Sequence, residues 1–256
     1  MLGLPVDDLT MDETLVAVDG CIEQGSVHQH VVINVAKVVQ AHRDPEMRAL
    51  IAACHIINAD GQPIVWASRL LGTPLRERVA GVDLMERLIE RAAARGYRIY
   101  LLGARPDVVR AVAERIAREQ PDAVIAGWRD GYWTPDEEPA VVAAIAAAKP
   151  QILFVAISSP AKERFLGRWK DTIDAPFVMG VGGSFDVYAG KVRRAPRWMR
   201  RIGLEWLFRV TQEPGRMWRR YAGDAPRFAW ILLRALVARR GSAGSIRTGD
   251  RPQSGQ

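Results

Sequence analysis

In the segment HIINADGQPIVWAS, residues 55–68, an apolar run stops at Asn58-Ala59-Asp60-Gly61 and resumes after Pro63. A lone carboxylate at such a break can serve as a general base, taking the proton of a hydroxyl as that hydroxyl attacks. It can equally be turn chemistry, because Asp-Gly suits a tight loop and an Asp ahead of PIVWAS can cap the helix that follows. A second stretch, Gly180-Val-Gly-Gly-Ser-Phe-Asp186, is glycine-rich without being GxGxxG, and it lacks the Lys-Ser/Thr pair of a P-loop. It reads either as a strand-to-helix turn or as a place where backbone N–H groups come close to a diphosphate or sugar.

Other chemistries are missing from the chain. There is no Asp-x-Asp to hold a divalent ion against a diphosphate, and no GxSxG elbow. His28, His30, His42 and His55 follow no metal-ligand spacing, and Cys21 and Cys54 suggest neither a zinc site nor a disulfide framework. No metal and no cofactor is expected. A departing phosphate would have to be neutralised by protein cations or N–H groups.

The elements that must position these residues can be read from periodicity. Short β-branched runs at 30–34, 54–58, 97–103, 123–127, 151–158 and 176–182 predict strands. Segments of helical period at 83–96, 106–119 and 136–149 separate several of them. Strands alternating with helices predict an α/β fold, a Rossmann-like and mostly parallel sheet flanked by helices. In such sheets ligands bind at the carboxyl ends of the strands. Asn34, Asp60, Gly103, Ser158 with Ser159, and Gly180 to Gly183 all fall there.

Charge divides the 256 residues unevenly. Residues 1–190 hold 20 Lys/Arg against 25 Asp/Glu, whereas residues 191–256 hold 16 against 4 and half of the eight tryptophans. Cations mixed with Trp, Phe and Leu favour an anionic membrane surface, each cation contributing about 1 kcal/mol close to it. The expected organisation is therefore an α/β catalytic core over 1–195, a basic helical C-terminal appendage over 196–240 and a disordered tail over 241–256. Breaks at Pro214-Gly215 and Pro226 predict two or three short helices in the appendage. The acidic opening MLGLPVDDLTMDE does not read as a signal peptide, and no apolar run approaches the roughly 20 residues a spanning helix needs.

The motifs NADGQPIVWASRLLGTPLRERVAGVDL from Asn58, GYRIYLLGA from Gly96, Asp130-Gly-Tyr-Trp, ILFVAISSPAKERF from Ile152, GVGGSFDVYAGKVRRAPRWMRRIGLEWLFR from Gly180 and Gln212-Glu-Pro, in that order, resemble the WecG/TagA/CpsF glycosyltransferases over about residues 30–225. The resemblance implies a bacterial enzyme on the cytoplasmic face of the inner membrane. Such an enzyme moves a sugar from a UDP-sugar to a polyprenyl-pyrophosphate-linked saccharide, with inversion and without a metal. It places the family's catalytic Asp on Asp60. It further implies that Gly103, Tyr132, Gly182, Gly183 and Asp186 hold the nucleotide sugar, and that Asn34, Arg78, Arg209, Arg216 and Arg219 serve the acceptor and its pyrophosphate, the last three folding over the site from the appendage. Val32 and Lys162 depart from the pattern, standing where many members have Thr and Gln; Lys162 joins the acceptor and pyrophosphate group as a candidate point charge for the leaving β-phosphate.

The donor stays open among N-acetylmannosamine, glucose and uronic acids, and so does the choice between a teichoic acid, common-antigen or exopolysaccharide pathway. A nucleic-acid-binding protein is the rival from another class, since a basic terminus bearing tryptophans could grip phosphates. No helix-turn-helix, RRM or zinc-finger pattern supports it, and no nucleic acid is expected as a partner. A nicotinamide-dependent oxidoreductase is weaker still, because strand 97–103 leads into Ala-Arg-Pro rather than a glycine fingerprint.

Overall fold

The computed structural model describes the backbone of residues 1–201, 204–212 and 214–244, and the side chains of these apart from 197, 201, 209, 216–221 and 240–244. Helix α1 (Met11–Gln24) leads into β1 (His28–Ile33), followed by α2 (Val35–Arg43), α3 (Pro45–Ala52), β2 (Ile56–Ala59), α4 (Gln62–Leu70) and α5 (Gly81–Arg95). Next come β3 (Arg98–Gly103), α6 (Pro106–Glu119), β4 (Val124–Arg129), α7 (Glu138–Ala148), β5 (Ile152–Ala156), α8 (Ala161–Ile173), β6 (Phe177–Gly180) and α9 (Ser184–Tyr188). The appendage consists of α10 (Arg197–Arg201), α11 (Glu205–Gln212) and α12 (Pro214–Gly244).

All six strands are parallel neighbours in one sheet of order β2-β1-β6-β5-β3-β4. Parallel neighbours cannot be joined by a tight turn, so helices make the crossovers and cover both faces. The strand period of two sorts the core. Ile56, Ile99, Leu101, Ile152, Phe154, Phe177 and Met179 face α1, α5, α6 and α9. Val31, Ile33, Ile57, Leu102, Leu153, Val155 and Val178 face α2, α3, α4, α7, α8 and the apolar side of α12. The predicted α/β fold and its six strands are therefore observed, with ends displaced by a residue or two. At the β2 edge, Asp7 N–H donates to Ile57 O and Asp7 accepts from Ile57 N–H, both at 2.8 Å, which closes part of the open rim.

The appendage differs from its expectation. Helix α12 runs unbroken through Pro226 and continues to Gly244, into the segment expected to be a disordered tail. Pro226 deprives residue 222 of its usual amide partner, but both residues are exposed, so water can satisfy the freed carbonyl. Packing of Phe228, Ile231, Leu232, Ala235 and Leu236 against the core then outweighs the loss. The expected break at Pro214-Gly215 is present as the start of α12. Residues 245–256, and with them the rest of the expected tail, lie outside the described residues.

Candidate functional site

The register of β1 and β2 brings the first group together. Ile33 pairs with Ala59, and Asp60 N–H donates to Ile33 O at 2.8 Å, so Asn34 and Asp60 are the next residues out from adjacent strands. Asn34 caps α2, its Oδ1 accepting from Lys37 N–H at 3.1 Å. Asp60 is half-buried at the rim rather than sunk in the core. Gly61, at φ 99°, then turns the chain into α4, a conformation open to a residue without Cβ. The chain returns along the same strand end, where Val79 N–H donates to Ala59 O at 3.0 Å, and this brings the backbone of residues 78–79 to the exit of β2.

Further along the rim, Gly103 ends β3 at φ 107°, and a Cβ there would lie 2.6 Å from the carbonyl carbon of Ala156. Glycine is what lets the β3 and β5 exits run this close. Gly131 N–H donates to Ala104 O at 2.8 Å and holds the loop that presents Tyr132, a residue 67% exposed and so available as a stacking platform. On the β6 exit, Gly182 takes φ 51°, and neither Gly182 nor Gly183 has any atom within 4 Å of where a Cβ would stand. That turn faces open space. Asp186 lies half-buried in the first turn of α9, and its carbonyl accepts from Lys191 and Val192 N–H groups.

Helices α4, α5, α6 and α8 all begin at this rim, and none has a side-chain cap. Thr10, Asn34 and Asp44 do cap α1, α2 and α3. Uncapped N-termini leave N–H donors and the positive end of the helix dipole facing whatever occupies the rim.

Lys162 points inward. Its buried ammonium lies 3.0 Å from Glu163 Oε1, which Lys37 Nζ also approaches at 2.9 Å. Gly180 makes room for it, since a Cβ there would fall 2.5 Å from Lys162 Nζ. The sequence suggests Lys162 as a point charge for a phosphate; the structure pairs it with a carboxylate beneath the rim. Burial opposes ionisation of Glu163, but Lys37 and Lys162 outweigh it and hold the carboxyl at about 2. Burial, reinforced by the neighbouring Lys162, lowers Lys37 to about 8. The two directions agree physically, because one carboxylate gains from two ammoniums while each ammonium loses water and meets the other. With all three ionised, the triad carries one net positive charge. Nothing in the sequence signals it, for Lys37 and Glu163 are 126 residues apart. On the other face, His30 Nε2 pairs with Asn58 Oδ1 at 3.0 Å, and Asn58 donates to Thr14 Oγ1. Burial lowers this histidine to about 4 despite the Asn58 bond, so it is neutral at pH 7 and part of the core.

The family model for the glycosyl transferase WecG/TagA/CpsF family matches residues 1–242. The chain belongs to that family. The match is wider than the motif-bearing stretch of about 30–225, and it takes in both α1 and nearly all of α12. This makes the chain a glycosyltransferase, and its donor and acceptor sites are to be sought on the rim described above.

In this glycosyltransferase the appendage is tied to the rim by charge. Arg78 Nη1 lies 3.3 Å from Glu205 Oε2 of α11. Arg194 pairs with both Asp83 and Glu86, and Arg200 with Asp83 at 3.5 Å. These contacts bring α10 and α11 to the start of α5. Arg209, Arg216 and Arg219 fall on α11 and α12, and their side chains lie outside the described residues. Among the described residues, no three His, Cys, Asp or Glu side chains gather as metal ligands do, and no helix is long and apolar enough to cross a membrane.

Proposed function

We propose that this glycosyltransferase moves a sugar, N-acetylmannosamine, glucose or a uronic acid, from a UDP-sugar to a polyprenyl-pyrophosphate-linked saccharide. It would do so with inversion and without a metal, docked on the cytoplasmic face of the bacterial inner membrane during cell-envelope or exopolysaccharide synthesis. Asp60 is the base. It takes the proton from the acceptor hydroxyl as the oxygen bonds to the anomeric carbon, and the bond from that carbon to the β-phosphate oxygen breaks on the opposite side. UDP leaves with the bonding electrons. Its charge is met by the uncapped helix N-termini and by the net positive Lys37–Glu163–Lys162 triad beneath the rim. Tyr132 stacks on the uracil, and Gly103, Gly182, Gly183 and Asp186 line the nucleotide sugar. Asn34, Arg78 and the appendage arginines 209, 216 and 219 hold the acceptor diphosphate.

The observation that carries this reading is the placement of Asp60: half-buried at the rim, tied by its N–H to Ile33, with Asn34 on the adjacent strand exit. Asp60→Asn keeps the size and removes the basicity. Turnover is expected to fall by about 10²–10⁴ while UDP affinity and melting temperature hold. The assay is mass-spectrometric product analysis with a panel of UDP-sugars and short-chain polyprenyl-pyrophosphoryl saccharides. Wild-type turnover by the Asn variant would remove Asp60 as the base.

A further inference from the structure

Two helices of one layer turn apolar residues away from the body of the protein. Helix α12 packs through Phe228, Ile231, Leu232, Ala235 and Leu236, and α4 packs into the same core through Ile64 and Ala67. On the opposite side of α12, Trp230, Leu233 and Val237 are 61%, 51% and 62% exposed at the i, i+3, i+7 spacing of one helical stripe. On the opposite side of α4, Trp66 and Leu70 are 48% and 60% exposed at i, i+4. The helices meet at their ends, where the Arg239 guanidinium covers Gly72 so closely that no Cβ would fit.

Charge chooses the occupant. Among the described side chains from residue 225 to 239, α12 carries Arg227, Arg234 and Arg239 and no acid, and Arg69 lies between Trp66 and Leu70 in the sequence of α4. A second copy related by a two-fold would set these arginines against themselves. A nucleic-acid backbone would satisfy the cations and leave Leu233, Val237 and Leu70 in water. An anionic lipid surface satisfies both, with tryptophan at the headgroup level and aliphatic side chains below it.

We propose that α4 is a second membrane-inserting element, its Trp66 and Leu70 entering an anionic lipid surface together with Trp230, Leu233 and Val237 of α12. The consequence rests on the reading of Asp60 as the base. Asp60 lies two residues before α4 begins at Gln62, and Trp66 lies four residues into it, about 6 Å of helix axis, so seating α4 in the lipid sets the height of that carboxylate over the headgroups where a lipid-borne hydroxyl arrives. The appendage would bring the protein to the membrane, and α4 would fix its tilt.

The experiment uses the full chain and needs no sugar donor, so it stands or falls apart from the transferase reading. Co-sedimentation is measured with phosphatidylglycerol/phosphatidylcholine vesicles, with phosphatidylcholine alone and with duplex DNA, and the mass in solution is followed by sedimentation velocity. The double variant Trp66→Ala/Leu70→Ala is expected to lower partitioning into anionic vesicles by roughly tenfold or more, with the melting temperature unchanged. Trp66→Phe should restore most of the loss, and Trp230→Ala/Leu233→Ala should give a loss of similar size. Brominated lipids should quench a fluorescence component that Trp66→Phe removes. Wild-type vesicle binding by the α4 double variant would overturn the proposal for α4, whatever the α12 variant does. So would binding to DNA as tight as to vesicles, or a dimer that the Trp66→Ala/Leu70→Ala change dissociates.

Discussion

Replacing Glu163 by Gln removes the carboxylate that two buried ammoniums share and leaves the shape of the side chain almost intact. Lys37 Nζ at 2.9 Å and Lys162 Nζ at 3.0 Å would then face an amide oxygen, with no counter-charge in contact. Two routes give the size of the effect. Breaking a buried pair by removing one partner costs about 3–5 kcal/mol. Linkage gives about 3 kcal/mol, from a carboxyl held at about 2 in the fold against an ordinary 4.5. For a chain of this length each kcal/mol shifts the melting temperature by about 2–4 °C, so a fall of about 6–20 °C is expected in calorimetry at pH 7. The pH dependence is a separate signature. Because the folded pKa of Glu163 is depressed, its contribution is complete above about 4.5 and is lost as pH falls toward about 2; the Gln variant should lack that part of the acid slope. Lys37 acts at the other end: lowered from 10.5 to about 8, it makes the native state bind fewer protons, so stability should rise between those values. A Gln variant as stable as wild type at pH 7, with the same acid slope, would show that the triad does not bear on the fold.

Three other outcomes can be checked directly. Gly103→Ala puts a Cβ 2.6 Å from backbone and strains a left-handed φ, so a loss of at least about 2 kcal/mol in urea unfolding is expected, and a neutral result would contradict the β3–β5 geometry. Tyr132→Ala should leave the melting temperature within about 1 °C, since the residue is largely solvent-facing, while weakening UDP binding in calorimetric titration by roughly 1–3 kcal/mol if uracil stacks there. Truncation after Ala195 removes α10–α12 and should abolish co-sedimentation with anionic vesicles and turnover on lipid acceptors; full activity would refute the appendage's role. It also strips Arg78 of Glu205 and uncovers the core side of α2, so a lower melting temperature should accompany the loss.

Much of the fold is legible because its signals are local. Val31, Ile33, Ile99, Leu101, Leu153 and Val155 sit in short β-branched or aliphatic runs that read as strands, and glycine or aspartate follows several of them. The order of the strands is not local: β1 pairs with β2 and with β6, and β3 lies between β4 and β5, choices set by packing over distances no periodicity window spans. Helices α2 and α3 are hidden for a simpler reason. They are short and adjoin strand-like residues, so their caps at Asn34 and Asp44 are the chief sign of them. At the site, Asp60, Gly103 and Gly182 could be placed because each marks a strand end. Arg78 could be named from its motif, but the return of its backbone to the β2 exit depends on the Val79–Ala59 bond. Proline misleads at Pro226, where exposure makes a break unnecessary.

The backbone rung from Asp60 to Ile33 makes the site modular. It fastens the proposed proton acceptor to two neighbouring ribbons of the sheet, while the residues proposed to face the nucleotide arrive on separate exits from β3, β4 and β6. Those exits can be regrafted without disturbing the rung. On the proposed assignment, a designer seeking a new sugar preference would rewrite the 181–186 turn and leave the proposed base where it is.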